Sequence, residues 1–66
     1  MEGRRFTLQQ WRKIAGLSQK KLAEACNRDI NTIWRWENGR GTPKASDIAK
    51  IEKALNINWS NDVLVQ

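Results

Sequence analysis

The side chains of this sequence that can do chemistry are mostly cations. Twelve lysines and arginines stand against seven carboxylates, for a net charge of +5 over 66 residues. There is no histidine and only one cysteine, Cys26. The commonest general base and metal ligand is therefore missing, no internal disulfide can form, and no Cys/His cluster can hold zinc. No thiol sits beside a base, no phosphate loop is present, and no motif pairs two carboxylates. Enzyme chemistry is rejected on these grounds, and no cofactor, metal or small-molecule substrate is expected. The cations are unevenly placed. From Arg4 to Lys44 ten of them face only Glu24, Asp29 and Glu37, a local balance of +7, whereas the balance from Ala45 onward is −1. A basic front and a neutral back suit an anionic partner, most often nucleic acid.

Helices must position these charges. Thr7 with Gln10 three residues later makes a capping box, and Phe6 with Trp11 makes the hydrophobic staple that accompanies one. Leu8, Trp11, Ile14 and Ala15 then form one apolar face, and Gly16 closes the first helix. Ser18 caps a second helix, with Leu17 and Leu22 as its staple and Leu22, Ala23 and Cys26 on its inner face. Cys26 is read as a small core hydrophobe. Asn27 ends this helix, because asparagine tolerates the left-handed conformation. Asp29 caps a third helix that runs to about Asn38 and stops at Asn38–Gly39. Pro43 fits at or just before a fourth, in which Ile48, Ile51 and Leu55 share a face. Asn58 caps a short fifth helix holding Trp59 and Val63. No stretch alternates like a half-buried strand. The expectation is one all-α domain of five short helices over residues 1–66. With no long apolar run and no signal peptide, it reads as soluble and cytoplasmic, away from membranes.

Only a few residues join helices two and three, which forces a sharp crossing, the helix-turn-helix geometry. Two of the four tryptophans lie on the third helix. Trp36 shares an inward face with Ile33 and is read as core. The outward face carries Ile30, Asn31, Trp34, Arg35 and Asn38.

The segment LSQKKLAEACNRDINTIWRWENGR resembles the helix-turn-helix of the lambda-repressor-like family, the Cro/CI type also called XRE. Ser18-Gln19, Leu22-Ala23, Thr32-Ile33 and Trp36-Glu37-Asn38-Gly39 match its pattern. Arg12 and the stretch TPKASDIAKIEKALNIN extend the likeness to about residues 7–64. Three positions depart from it. Asn27 and Asn56 stand where the family usually has glycine, and Trp34 where most relatives carry a small or polar residue.

The resemblance implies a transcriptional regulator, repressor-like and phage-like, that binds double-stranded operator DNA. The third helix would lie in the major groove and contact bases through Ile30, Asn31, Trp34 and Arg35. Asn31 suits adenine or else only helps cap the helix, Arg35 suits guanine or else is a phosphate contact or a solvated charge, and Ile30 suits a thymine methyl. Trp34 would lie along the groove wall or pack under Arg40. Phosphates would be met by Ser18 and Gln19 at the start of helix two. Lys20, Thr32, Asn38, Arg40 and Lys44 are the other candidates, although Lys20, Arg40 and Lys44 are equally read as solvated charges. Arg4 and Arg5 form either an arm toward DNA or a disordered end. Arg12 and Glu37 match a partly buried ion pair of the family, a structural one. A homodimer on a pseudo-palindromic site is expected, with Trp59, Val63 and Leu64 either at its interface or closing the core. The alternative is an antitoxin or adaptor of this fold whose main partner is a protein.

Overall fold

A computed structural model describes residues 5–64. Five helices follow one another: α1 (Leu8–Ile14), α2 (Gln19–Cys26), α3 (Ile30–Glu37), α4 (Ala45–Leu55) and α5 (Trp59–Asp62). No strand occurs among the described residues, only an isolated parallel bridge between Phe6 and Val63.

Each helix begins and ends for a local reason. Thr7 Oγ1 accepts from the Gln10 N–H at 3.2 Å while the Gln10 side chain accepts from the Thr7 N–H at 2.9 Å. The Phe6 and Trp11 rings meet edge to face, centroids 5.0 Å apart. Ser18 Oγ accepts from the Lys21 N–H at 3.0 Å, and Asn58 Oδ1 from the Asn61 N–H at 3.1 Å. Asp29 takes the extended N-cap conformation but its side chain makes no capping bond. Its backbone carbonyl accepts from Thr32 instead, at 2.9 Å. The first four helices all stop through one left-handed residue each: Gly16, Asn27, Gly39 and Asn56. The following N–H returns to a carbonyl five residues back in every case, Leu17 to Arg12, Arg28 to Ala23, Arg40 to Arg35 and Ile57 to Glu52. This pattern satisfies carbonyls that a helix end leaves without partners.

Asn27 has φ 56° and ψ 46°, so the turn into α3 rests on a residue type that pays a modest cost for positive φ. We expect Asn27→Gly to leave stability within about 0.5 kcal/mol, as relief of left-handed strain offsets the extra freedom of the unfolded chain. Asn27→Val should cost about 1–2 kcal/mol, because a branched Cβ crowds the carbonyl there. For so short a domain, each kcal/mol lowers Tm by roughly 4–8 °C. Equal melting of the Asn27→Val and wild-type chains would refute this account of the turn.

The core lies where α1, α2, α3 and α4 converge. Leu22, Ile33, Ile51 and Cys26 are fully buried, joined by Leu8, Ala23, Leu55 and Val63. Trp11, Leu17, Trp36, Ala54, Ile57 and Trp59 pack against them, each half-buried. Burial pushes the Cys26 thiol pKa up, as expected of an inert core cysteine.

Two packing expectations need correction. Ile14 does not share the apolar face of α1; it is 61% exposed, and Ala15 is also exposed. At about 100° per residue Ile14 is turned roughly 120° away from Leu8, whereas Arg12, one turn after Leu8, faces inward and is buried. Trp36 packs on the core but is half-buried, its ring bordering a groove with Pro43 and Trp59.

Candidate nucleic-acid interface

Three residues, Asn27 to Asp29, separate α2 from α3. Ile33 and Glu37, one turn apart, are the buried residues of α3, and they pin the helix against its neighbours. The opposite side is open to solvent: Ile30, Asn31, Trp34, Arg35 and Asn38 are all exposed. Thr32 is half-buried between the two sides. Asn38 Nδ2 donates to the Trp34 carbonyl at 2.8 Å, which commits one of its two amide hydrogens at the helix end.

Glu37 is the hub that orients this helix. Arg12 Nε donates to Glu37 Oε2 at 2.6 Å and Nη2 to Oε1 at 3.3 Å, while Nη1 reaches the Leu17 carbonyl at 2.8 Å. The two side chains are 9% and 1% exposed. Gln19 Nε2 donates to Glu37 Oε1 at 3.0 Å, so one carboxylate ties α1, the first turn of α2 and the last turn of α3 together. That bond holds the start of α2 at Gln19 against the last turn of α3. The Gln19 amide keeps one hydrogen for another acceptor, and its backbone N–H stands at the helix start, where anions are favoured. Lys20, Arg35, Arg40 and Lys44 are exposed, and none forms a salt bridge among the described residues. Arg5 is exposed, and Arg4 lies outside the described residues.

A second ion pair joins residues far apart in the sequence. Arg28 Nε and Nη2 donate to Asp47 Oδ1 and Oδ2 at 3.0 and 2.9 Å, a bidentate clamp from the turn to α4. Asp47 also accepts from the Lys44 N–H at 3.1 Å, capping α4. The Arg28 hydrogen bond holds the Asp47 carboxyl below the ordinary carboxylate range, against burial, which raises it. The only sequence signal was an acidic residue three positions after a helix N-cap; its cationic partner lies 19 residues away.

The carboxyl end differs from a free interface. Val63 is 3% exposed and bridges Phe6. The Asp62 carbonyl accepts from the Phe6 N–H at 3.1 Å and from Trp11 Nε1 at 2.7 Å. Trp59 packs on the core, its N–H held by Glu52 Oε2 at 2.9 Å. Val63 thus closes the core, because the segment around Phe6 lies alongside it. Of the three residues expected at a dimer interface, Leu64 is the exposed one, at 50%.

Among the described residues, no group of His, Cys, Asp and Glu could hold a metal ion, and no helix is long and apolar enough to cross a membrane. Comparison with curated proteins and with solved structures finds no match. A family model described as helix-turn-helix matches residues 8–60, from the first residue of α1 into α5. That span contains the crossing of α2 and α3, the Glu37 hub and the exposed face of α3. The chain belongs to the lambda-repressor-like helix-turn-helix family of Cro/CI or XRE type, a family of DNA-binding transcriptional regulators rather than enzymes.

Proposed function

We propose that the chain acts in the cytoplasm as a sequence-specific repressor, with α3 in the major groove of operator DNA. The carrying observation is the two-sidedness of α3. Ile33 and Glu37 fix its inner side, leaving Asn31 and Arg35 exposed with Ile30 and Trp34 beside them. Arg35 suits guanine O6 and N7, and Asn31 suits adenine N6 and N7, as bidentate partners. The start of α2 at Ser18–Lys20, with Thr32, Asn38, Arg40 and Lys44, holds the phosphates that set register. A homodimer formed through the segment around Leu64 would place two α3 helices about 34 Å apart, one turn of DNA.

Selection from random duplexes, followed by a salt titration of the enriched site, tests this. Each neutralised phosphate contributes about −0.9 to the log–log slope of affinity against salt. The phosphate assignments predict a slope steeper than about −2. A shallower slope removes them as a group. Failure to enrich any duplex, combined with a protein partner retained after DNase treatment, would favour the adaptor reading.

A further inference from the structure

Among the described residues, four large hydrophobic side chains stay exposed, and two of them, Ile30 at 42% and Trp34 at 48%, lie one turn apart on α3. Trp11, Trp36 and Trp59 are all half-buried against the core; Trp34 alone of the tryptophans is turned out. It cannot rotate inward, because Ile33 and Glu37 already hold the inner side of the helix. Side chains four apart on a helix are neighbours, and each leans toward the helix N-terminus. Ile30 and Trp34 therefore share one exposed face of α3 as an apolar ridge, with Asn31 and Arg35 along its flank.

We propose that this ridge reads thymine methyl groups, an inference that rests on the DNA-binding reading above. A protein partner for an apolar ridge would have to tolerate the basic surroundings: residues 4–44, which carry it, have a balance of +7. DNA meets that charge with its phosphates, and inside the major groove the thymine C5-methyl is the apolar group on offer. Spacing adds a prediction. Four residues advance about 6 Å along a helix, and base pairs advance about 3.4 Å. Ile30 and Trp34 should therefore meet methyls about two base steps apart in each half-site, one near the helix tip and one a turn further out. Arg35, beside Trp34, would hold a guanine adjacent to the outer thymine. Specificity would come from two methyls and their spacing as well as from hydrogen bonds.

The test begins with the wild-type chain and the duplex enriched by selection. Deoxyuridine is substituted for thymidine one position at a time in both half-sites, which removes the methyl and keeps base pairing. Affinity is then measured at one fixed salt concentration. Two positions, about two steps apart, should each lose about threefold to fivefold in affinity per methyl. In Trp34→Ala the loss at the outer position should vanish, and in Ile30→Ala the loss at the inner one. Melting of both variants checks the fold, and the uracil scan on the unaltered chain stands even if a variant unfolds. A uracil operator bound as tightly as the thymine operator overturns this inference and leaves DNA binding intact. Uracil losses that persist unchanged in folded Trp34→Ala and Ile30→Ala chains also overturn it. A chain that enriches no duplex overturns both readings together.

Discussion

Glu37→Gln should cost about 3–5 kcal/mol of stability, whereas Glu24→Gln should cost less than about 1. The reason is burial. Glu37 is 1% exposed at its side chain and faces an Arg12 side chain that is 9% exposed. Glutamine leaves the guanidinium charged, buried and without its counter-charge, with only the Leu17 carbonyl and a neutral amide to satisfy it. Glu24 lies 4.0 Å from Lys21 with both side chains more than half exposed, so water replaces whatever the pair provides. A chain of this length has roughly 3–10 kcal/mol of total stability, which makes the Glu37 loss close to unfolding. Removing both charges at once, as Arg12→Met with Glu37→Leu, should recover much of the loss, since the penalty belongs to the unpaired charge. Chemical denaturation of the four chains measures this. Equal effects from Glu37→Gln and Glu24→Gln would show that the hub adds nothing beyond a surface pair.

Arg35→Ala should leave the fold intact and cost roughly 1–3 kcal/mol on the selected operator, relaxing preference at one base position per half-site. Its side chain is exposed on the side of α3 away from Ile33 and Glu37, so nothing in the core depends on it. Lys44→Ala should behave differently. Lys44 is exposed at the N-cap of α4, and its role in capping is through its backbone N–H, which alanine keeps. It should weaken all sequences about equally and flatten the salt slope by about one. Titrating each variant against the operator and its single-base variants at two salt concentrations separates the roles. If Arg35→Ala weakens cognate and scrambled duplexes by one common factor, Arg35 is a phosphate contact. Base reading would then rest on Asn31 and the Ile30–Trp34 ridge.

Most helix ends and the order of the helices were legible in the sequence because they are local, although Asp29 caps α3 without its side chain and Val63, expected inside the fifth helix, falls just past α5. Thr7 with Gln10, Ser18 with Lys21 and Asn58 with Asn61 each involve groups three residues apart, and Asn27 and Asn56 are left-handed for reasons of their own side chain. The side of α3 that points outward was legible too, since Ile33 fixes its phase. Trp36, read as core, shows how far that reasoning reaches: phase places it against the core, and depth depends on how much of Pro43 and Trp59 covers it.

What faces what across the chain was settled only by the tertiary packing. Periodicity counted Ile14 as apolar face, but the crossing of α1 over α3 carries Arg12 to Glu37 and leaves Ile14 outside. Arg28 finds Asp47 and Gln19 finds Glu37 across separations of 19 and 18 residues, distances over which no local spacing rule holds. Val63 is buried because the segment before α1 returns to lie beside it, so a hydrophobic residue that could have met a second chain meets Phe6 instead. Caps and turns depend on φ, ψ and a side chain within one helical turn, and residue types determine those by themselves. Ion pairs and buried faces depend on the angle at which two helices cross, and that angle is set by all the core side chains packing at once.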